Sequence, residues 1–315
     1  MVAAPQSREE DVSLMDRRAA DLLLAYDWPH DEPFLGLLAQ ALRAAGQSLV
    51  TVNPQSLADT FERLQRGGFT ARAFLDRAAD TDLAFEPLEA WAEAHVPLLL
   101  NPAADRRRVW KKSNVHWEFI RAGLHTPHTI VIPAWSRQPV LDPLPDLAPL
   151  GATFAIKPDL GGGGWGVTLG ARSWAQVEQA RRDMPDDDLL LQELVEPEVV
   201  DGRRAWFRVF YTCGAIVPCW WDDRTRLFGD WIGDESRRGW GLDRLWDVAE
   251  VAAGIACLQV FSTEVARLAD GRWIVVDYVN DPIDLRLLSH AREGMPMEAA
   301  QRIAEAIAGF VARQA

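Results

Sequence analysis

From Asp21 onward, short apolar runs alternate with stretches whose apolar residues recur every three or four positions. That is the pattern of strands joined by helices, and hence of a parallel sheet. Residues 22–25 read as a buried strand and 26–32 as a polar loop; Pro33 then opens a helix with Phe34, Leu37, Leu38, Ala41 and Leu42 along one face. Strands at 48–52, 73–75 and 96–100, with helices at 54–65 and 86–94, complete a small α/β lobe whose strand-end loops are natural ligand sites. Asn101-Pro102 breaks the pattern, and a basic helix over 104–122 closes at Gly123 in the C-cap position.

The second half reads differently. Strands are expected at 128–132, 153–157, 166–169 and 189–191, with a proline-rich loop over 133–149. Ser173 and Gln176 form a capping box for a helix reaching Arg182, and Asp186 to Asp188 make a solvated turn. A hairpin (204–212 with 215–221) turns at Cys213-Gly214, and a long polar loop follows to Gly241. A helix over 243–258, a second hairpin (260–267 with 272–279) and a helix over 298–313 end the chain.

Composition narrows the classes. At 315 residues the chain is long enough for two or three sub-domains. A net charge of -13 argues against a sequence-independent grip on nucleic acid, so any phosphate binding has to be local. Three cysteines without ligand spacing read as packing residues in a reducing compartment, and fourteen scattered tryptophans as core and cleft aromatics. No segment is long and apolar enough to span a bilayer, and residues 1–18 read as a loose tail without a secretory signal, so a cytoplasmic location is expected.

Two segments carry chemistry. In Lys157-Pro158-Asp159-Leu160-Gly161-Gly162-Gly163-Gly164-Trp165-Gly166, four consecutive glycines leave backbone N–H groups open to phosphate oxygens, with Lys157 adding a point charge. The run lacks the Gly-Lys-Ser/Thr ending of a Walker loop, and a mobile loop without ligand is the alternative. In the terminal hairpin, a two-residue Asp270-Gly271 turn pairs Ala269 with Arg272 and sets Glu264 opposite Asp277. Opposed carboxylates repel unless a cation lies between them, and oxygen ligands suit magnesium; the alternative is a longer turn with both acids facing solvent. Asn280, three residues past Asp277, joins them only if a bulge or the strand end re-aims it. Gln192-Glu193 closes a buried strand that can offer backbone groups to an adenine edge. Arg208, flanked by aromatics, needs an anionic partner if buried and none if its face is exposed.

This order of features resembles the ATP-grasp superfamily: a basic helix, a strand lysine before a glycine loop, a polar strand end, an arginine-bearing strand, then acid, acid and Asn. Members include glutathione synthetase, D-alanine-D-alanine ligase and the ligase that adds glutamate to a ribosomal protein. The resemblance spans roughly 101–286 and implies an α/β (α+β) fold with an N-terminal Rossmann-like lobe and two lobes clasping ATP. The domains it implies are an N-terminal α/β domain (19–101), a linker helix (102–127), a small lobe with the lid (128–195) and a C-terminal lobe with the metal site (196–315). Lys112 and Lys157 match the nucleotide-binding lysines, and Gly162, Gly163, Gly164 and Trp165 the lid. Gln192, Glu193, Leu194 and Val195 match the adenine hinge, with Glu198 or Asp201 on the ribose. Arg208 matches the arginine that steadies transferred phosphate or the acyl intermediate. Glu264, Asp277 and Asn280 take the metal positions. Relatives read Glu-x-Asn before a Pro-Gly turn; this chain has Asp277-Tyr278-Val279-Asn280-Asp281-Pro282, so Asp281, Asp284 and Arg286 also enter as metal or substrate candidates.

The function so implied is a carboxylate-amine ligase that uses ATP and Mg2+, with Mn2+ able to replace it, and makes an amide bond through an acyl phosphate. Arg208, Lys157 and Arg286 are the expected catalytic residues, and the loops at 26–32 and 220–226 the expected substrate contacts. Small-molecule carboxylate and amine partners are expected, without nucleic acid or membrane, and a homodimer is admitted. The same fold also hosts small-molecule kinases, and a nucleotide-binding regulator without turnover is the third reading.

Overall fold

The computed structural model describes residues 19–314; the tail expected at 1–18 lies outside them. Two compact units form: one from the described residues up to Ala103 with Thr212–Ala215 and Asp284 onward, the other from Ala104–Tyr211 and Ile216–Ile283.

The first unit is a parallel sheet of β1 (Ala19–Tyr26), β2 (Leu49–Val52), β3 (Thr70–Arg77) and β4 (Leu98–Leu99) in the order β2-β1-β3-β4. Leu22 to Ala25 are buried on both faces, as a sheet covered on both sides requires. Helices α1 (Glu32–Ala44), α2 (Leu57–Gln65) and α3 (Glu86–His95) connect the strands. The loop expected at 26–32 contains a helical turn at Pro29–Asp31 and buries Asp31, whose carboxylate takes two hydrogen bonds from Arg77, at 2.9 and 3.0 Å. The expected basic helix breaks in two, α4 (Ala103–Trp110) and α5 (Lys112–Arg121), with Lys111 extended between them.

The second unit holds two sheets. β5 (Thr129–Ile132), β6 (Phe154–Pro158), β7 (Thr168–Ala171) and β8 (Leu189–Glu193) run in the order β5-β8-β6-β7, with helix α6 (Trp174–Asp183) beside them. A short ribbon, β9 (Val199–Val200) and β10 (Arg203–Arg204), leads to β11 (Trp206–Thr212) and β12 (Ala215–Asp222). The polar loop expected to reach Gly241 contains strand β13 (Leu227–Trp231) and the short helix α7 (Asp234–Gly239). Trp221 and Phe228 pair across β12 and β13, and this aromatic contact makes a strand of a segment whose composition reads as loop. Helix α8 (Asp243–Ala256) precedes β14 (Val260–Arg267) and β15 (Trp273–Asn280), giving the sheet order β13-β12-β11-β14-β15. Phe207, Val209, Trp220, Val265, Trp273 and Val275 pack on Leu245, Val248, Ala249 and Ala252 of α8. Each such side chain, fully buried, contributes about 1.5–3 kcal/mol. The other sheet face is thereby reserved for Trp206, Arg208 and Glu264.

The C-terminal helix α9 (Met297–Arg313) belongs to the first unit, packs on α1 and buries Ala300, Ile303, Ala304, Ile307 and Val311. Two local expectations are corrected. Ser173 makes no capping bond; the Gln176 side chain accepts instead from the Arg172 N–H and the Ser173 hydroxyl, at 2.8 and 3.3 Å. The acidic turn at 186–188 is structural rather than merely solvated: Asp188 accepts from the Ala134 N–H at 2.8 Å and pairs with Arg137, and Asp187 accepts from the Leu160 N–H at 3.1 Å.

Candidate active site

The β14–β15 hairpin places Glu264 opposite Asp277 as expected, by a different route. The turn is longer than two residues, with the Gly271 N–H donating to the Leu268 carbonyl at 2.9 Å, and near it the register is Arg267 with Trp273 and Val265 with Val275. A bulge between Glu264 and Val265 then shifts the pairing to Glu264 with Asp277, and a second bulge shifts it to Ser262 with Asn280. Trp273 and Val275 face the α8 core, so strict alternation would send Asp277 there too. The first extra residue turns Asp277 to the open face and sends Tyr278 inward; the second turns Asn280 outward, where its Nδ2 donates to Asp277 Oδ2 at 2.9 Å.

Cations surround the two acids. Glu264 accepts from Arg208 Nη1 at 2.9 Å and from Trp206 Nε1 at 3.0 Å. Lys157, from β6, donates to the Val276 carbonyl at 3.3 Å. Burial pushes Lys157 below the usual lysine range, against the pull of Asp277 and Glu264. Burial raises the Glu264 carboxyl, with Arg208 opposing it, whereas at Asp277 the cost of burial is outweighed by Lys157, then Lys112 and Arg208, and its carboxyl is held low.

The donor set fits a hard dication. Two carboxylates and an amide share one face, all oxygen-bearing, and leave coordination positions for water and phosphate. Among the described residues no group of three or more His, Cys, Asp or Glu forms a cage of its own.

The glycine-loop side of the site is built by a residue that spacing did not single out. Buried Asp159 accepts from the Ser113 N–H and hydroxyl, both at 2.7 Å, and its carbonyl accepts from the Lys112 N–H at 3.1 Å. A carboxylate at a helix N-terminus is favourable, so Asp159 caps α5 and explains the break at Lys111. The break brings the Lys112 ammonium onto the Gly161 carbonyl. From the β12–β13 turn, Arg226 approaches the same loop: Nη1 lies 3.4 Å from the Gly163 oxygen, and a Cβ on Gly164 would meet the guanidinium at 2.7 Å. Gly161, Gly163, Gly164 and Gly166 all have positive φ, which glycine alone adopts freely. Trp165 at the apex is 69% exposed.

At the end of β8 the Gln192 side chain turns inward. Its Nε2 donates to Thr129 Oγ1 at 3.0 Å and to the Tyr278 hydroxyl at 2.8 Å, while Oε1 is buried with no partner among the described residues. An orphaned acceptor costs about 1–3 kcal/mol, and a ligand N–H would satisfy it. The Tyr278 hydroxyl also meets His116 Nδ1 at 2.7 Å. Burial pushes His116 down to about 4, so the imidazole is neutral. The Glu193 N–H donates to the His128 carbonyl at 3.0 Å, and Leu194 and Val195 lie beyond the strand. Glu198 is ion-paired with Arg267, and Asp201 sits in the β9–β10 turn with positive φ. Arg286 and Asp284 belong to the first unit, bonded to each other at 2.7 Å, with the Arg286 guanidinium over the Trp28 ring. Lys112, Lys157, Arg208, Glu264, Asp277, Asn280 and the glycine loop thus share the second unit. Sequence reasoning missed Trp206, Tyr278, His116 and Asp159. Only Asp159 left a trace, as an acid two residues after Lys157.

No family model matches the sequence, and no curated protein matches it. Solved structures do. A RimK-domain ATP-grasp protein from Sphaerobacter thermophilus DSM 20745 is 21% identical, with a TM-score of 0.59 over 92% of this chain and 98% of that one. The D-cycloserine synthetase DcsG is 18% identical, with a TM-score of 0.60 over 92% and 99%. The ATP-grasp ligase PsnB, solved with a minimal precursor, Mg and ADP, is 16% identical, with a TM-score of 0.58 over 92% and 98%. At 16–21% identity these likenesses rest on the course of the backbone, and by that course the chain has the ATP-grasp fold.

Proposed function

We propose that the chain is an ATP- and Mg2+-dependent ligase that joins a carboxylate to an amine. The observation that carries this reading is the Glu264–Asp277–Asn280 array ringed by Lys157, Arg208 and Trp206. Three cations, Lys112, Lys157 and Arg208, outnumber the two carboxylates, so the site favours a polyanion although the whole chain is acidic. The names of the solved neighbours, a synthetase and an ATP-grasp ligase among them, support ligation as the class of reaction.

In this reading Glu264, Asp277 and Asn280 hold magnesium, which when bound supplies charge neutralisation at the triphosphate. Lys112 and Lys157 hold phosphate oxygens, the glycine loop covers them and excludes water, and the Gln192 acceptor receives an N–H from the adenine side. Arg208 orients the substrate carboxylate. One carboxylate oxygen forms a bond to the γ-phosphorus as the bond to ADP breaks; the amine nitrogen then forms a bond to the acyl carbon, phosphate leaves, and the amine proton passes to solvent. No protein nucleophile is needed. Incubation with Mg-ATP and candidate acids, with and without amines, tests it: amine-dependent phosphate release is expected. A phosphorylated stable product would replace the reading with a kinase, and Mg-ATP binding without turnover would replace it with a regulator.

A further inference from the structure

The open face of the five-stranded sheet is walled by aromatic rings immediately beside Arg208. Because Phe207 and Val209 point into the α8 core, alternation sends Trp206, Arg208 and Phe210 to the other face. Trp221 lies on that face too, with the Arg208 guanidinium 5.1 Å from its ring centroid. Phe228 meets Trp221 edge-on at 4.6 Å and stacks on Phe210 at 5.9 Å. Its neighbour Trp220 is buried in the core on the opposite face, so of the two adjacent tryptophans only Trp221 is offered to a ligand. Trp221 and Phe228 are both partly exposed.

Arg208 itself has one arm to spare. Nη1 is engaged by Glu264 and Nε lies 3.4 Å from Ser262 Oγ, while Nη2 has no partner among the described residues. The neighbouring guanidiniums are committed: Arg204 to Asp223 and Glu196, Arg203 to Asp230, Arg224 beside Glu196 at 3.9 Å, and Arg226 on the glycine loop. A second carboxylate on the substrate would therefore have to compete with an acceptor already beside each of these cations, and would face the negative π-surface of the rings. An aromatic or bulky apolar group would cover the ring surface that Trp221 and Phe228 leave exposed.

Resting on the ligase reading above, we propose that the acyl substrate carries an aromatic or large apolar group near its carboxylate. The carboxylate docks on Arg208 Nη2 and the apolar group lies against Trp221 and Phe228, which act as specificity determinants.

Hydroxylamine trapping on the full chain tests this, with Mg-ATP and phenylalanine, tryptophan and leucine compared with alanine, aspartate and glutamate. Hydroxamate is expected from the first three with kcat/KM at least about tenfold higher than from the others. Trp221→Ala is expected to erase most of that preference by raising KM for the aromatic acids, while the Kd of Mg-ATP, measured by calorimetry, stays put. Trp221→Phe should keep the preference, and Phe228→Leu should weaken it in part. Hydroxamate chiefly from small or acidic substrates, or a preference unmoved in Trp221→Ala, would overturn the proposal and leave the ligase intact. Hydroxamate from no acid, with Mg-ATP bound normally, would overturn both.

Discussion

At the scale of single residues, Asp277 and Glu264 are not equivalent. Asp277 is held ionised by lysines that a ligand would also use, whereas Glu264 spends both oxygens on Arg208 and Trp206. Asp277→Asn is accordingly expected to weaken Mg-ATP binding by at least about tenfold, with ATP binding in EDTA little changed, by calorimetry. A loss equal in both conditions would argue against a metal at this position. His116 gives a pH test. Its folded pKa, about 4, lies below the unfolded value near 6.5, so the unfolded chain binds the extra proton between those values and stability falls as pH drops through that window. Urea denaturation at pH 7 and pH 4.5 is expected to show a decrement, up to roughly 3 kcal/mol by pH 4, that His116→Gln removes. An equal pH dependence in both proteins would mean the imidazole is not buried neutral.

At the scale of elements, the glycine loop is held from two sides, by Lys112 from a helix and Arg226 from a hairpin turn, each on a backbone carbonyl. A phosphate oxygen is the stronger acceptor, since charge-assisted hydrogen bonds are about twice as strong as neutral ones. Both cations are expected to transfer to an incoming triphosphate. Arg226→Ala should then weaken Mg-ATP binding by about five- to tenfold at low salt and less at high salt, whereas equal losses at both would point to a structural contact. Much at this scale was legible in the sequence. The parallel lobe and the strand-lysine-glycine order follow from periodicity and turn signals, whereas the Glu264–Asp277 pairing was reached from a turn one residue too short and is set by a bulge instead. The two bulges were not, because an extra residue in a strand leaves composition and hydropathy unchanged. The helix break at Lys111 was hidden for another reason: its cause, Asp159, lies 46 residues away from Ser113 in sequence. The strand at 227–231 was masked by its glycine and aspartate, and it forms through an aromatic pair across strands that local propensity does not register.

At the scale of the whole molecule, an acidic chain gathers Lys157 and Arg208 beside Glu264 and Asp277 on one face of a sheet whose other side is core. A ligand bound only to the folded state raises its melting temperature by mass action. At one hundred times Kd, Mg-ATP is expected to add about 2.7 kcal/mol, a rise of roughly 4 °C by scanning calorimetry. No rise with Mg-ATP at any concentration would remove the basis for a nucleotide site.

The doubled irregularity of β15 also says how freely this array can drift in evolution or engineering. One surplus residue lies between Asp277 and Asn280, and its only effect on the oxygen array is to restore a parity that a plain two-residue interval would have had from the start. Deleting Val279 should therefore yield a strand with one bulge fewer and both side chains still facing the same way, whereas deleting Tyr278 should lose the hydroxyl that anchors that strand. Interval and kink are interchangeable solutions to one geometric demand, and comparing Mg-ATP binding by the two shortened chains would reveal whether the oxygen array survives the exchange.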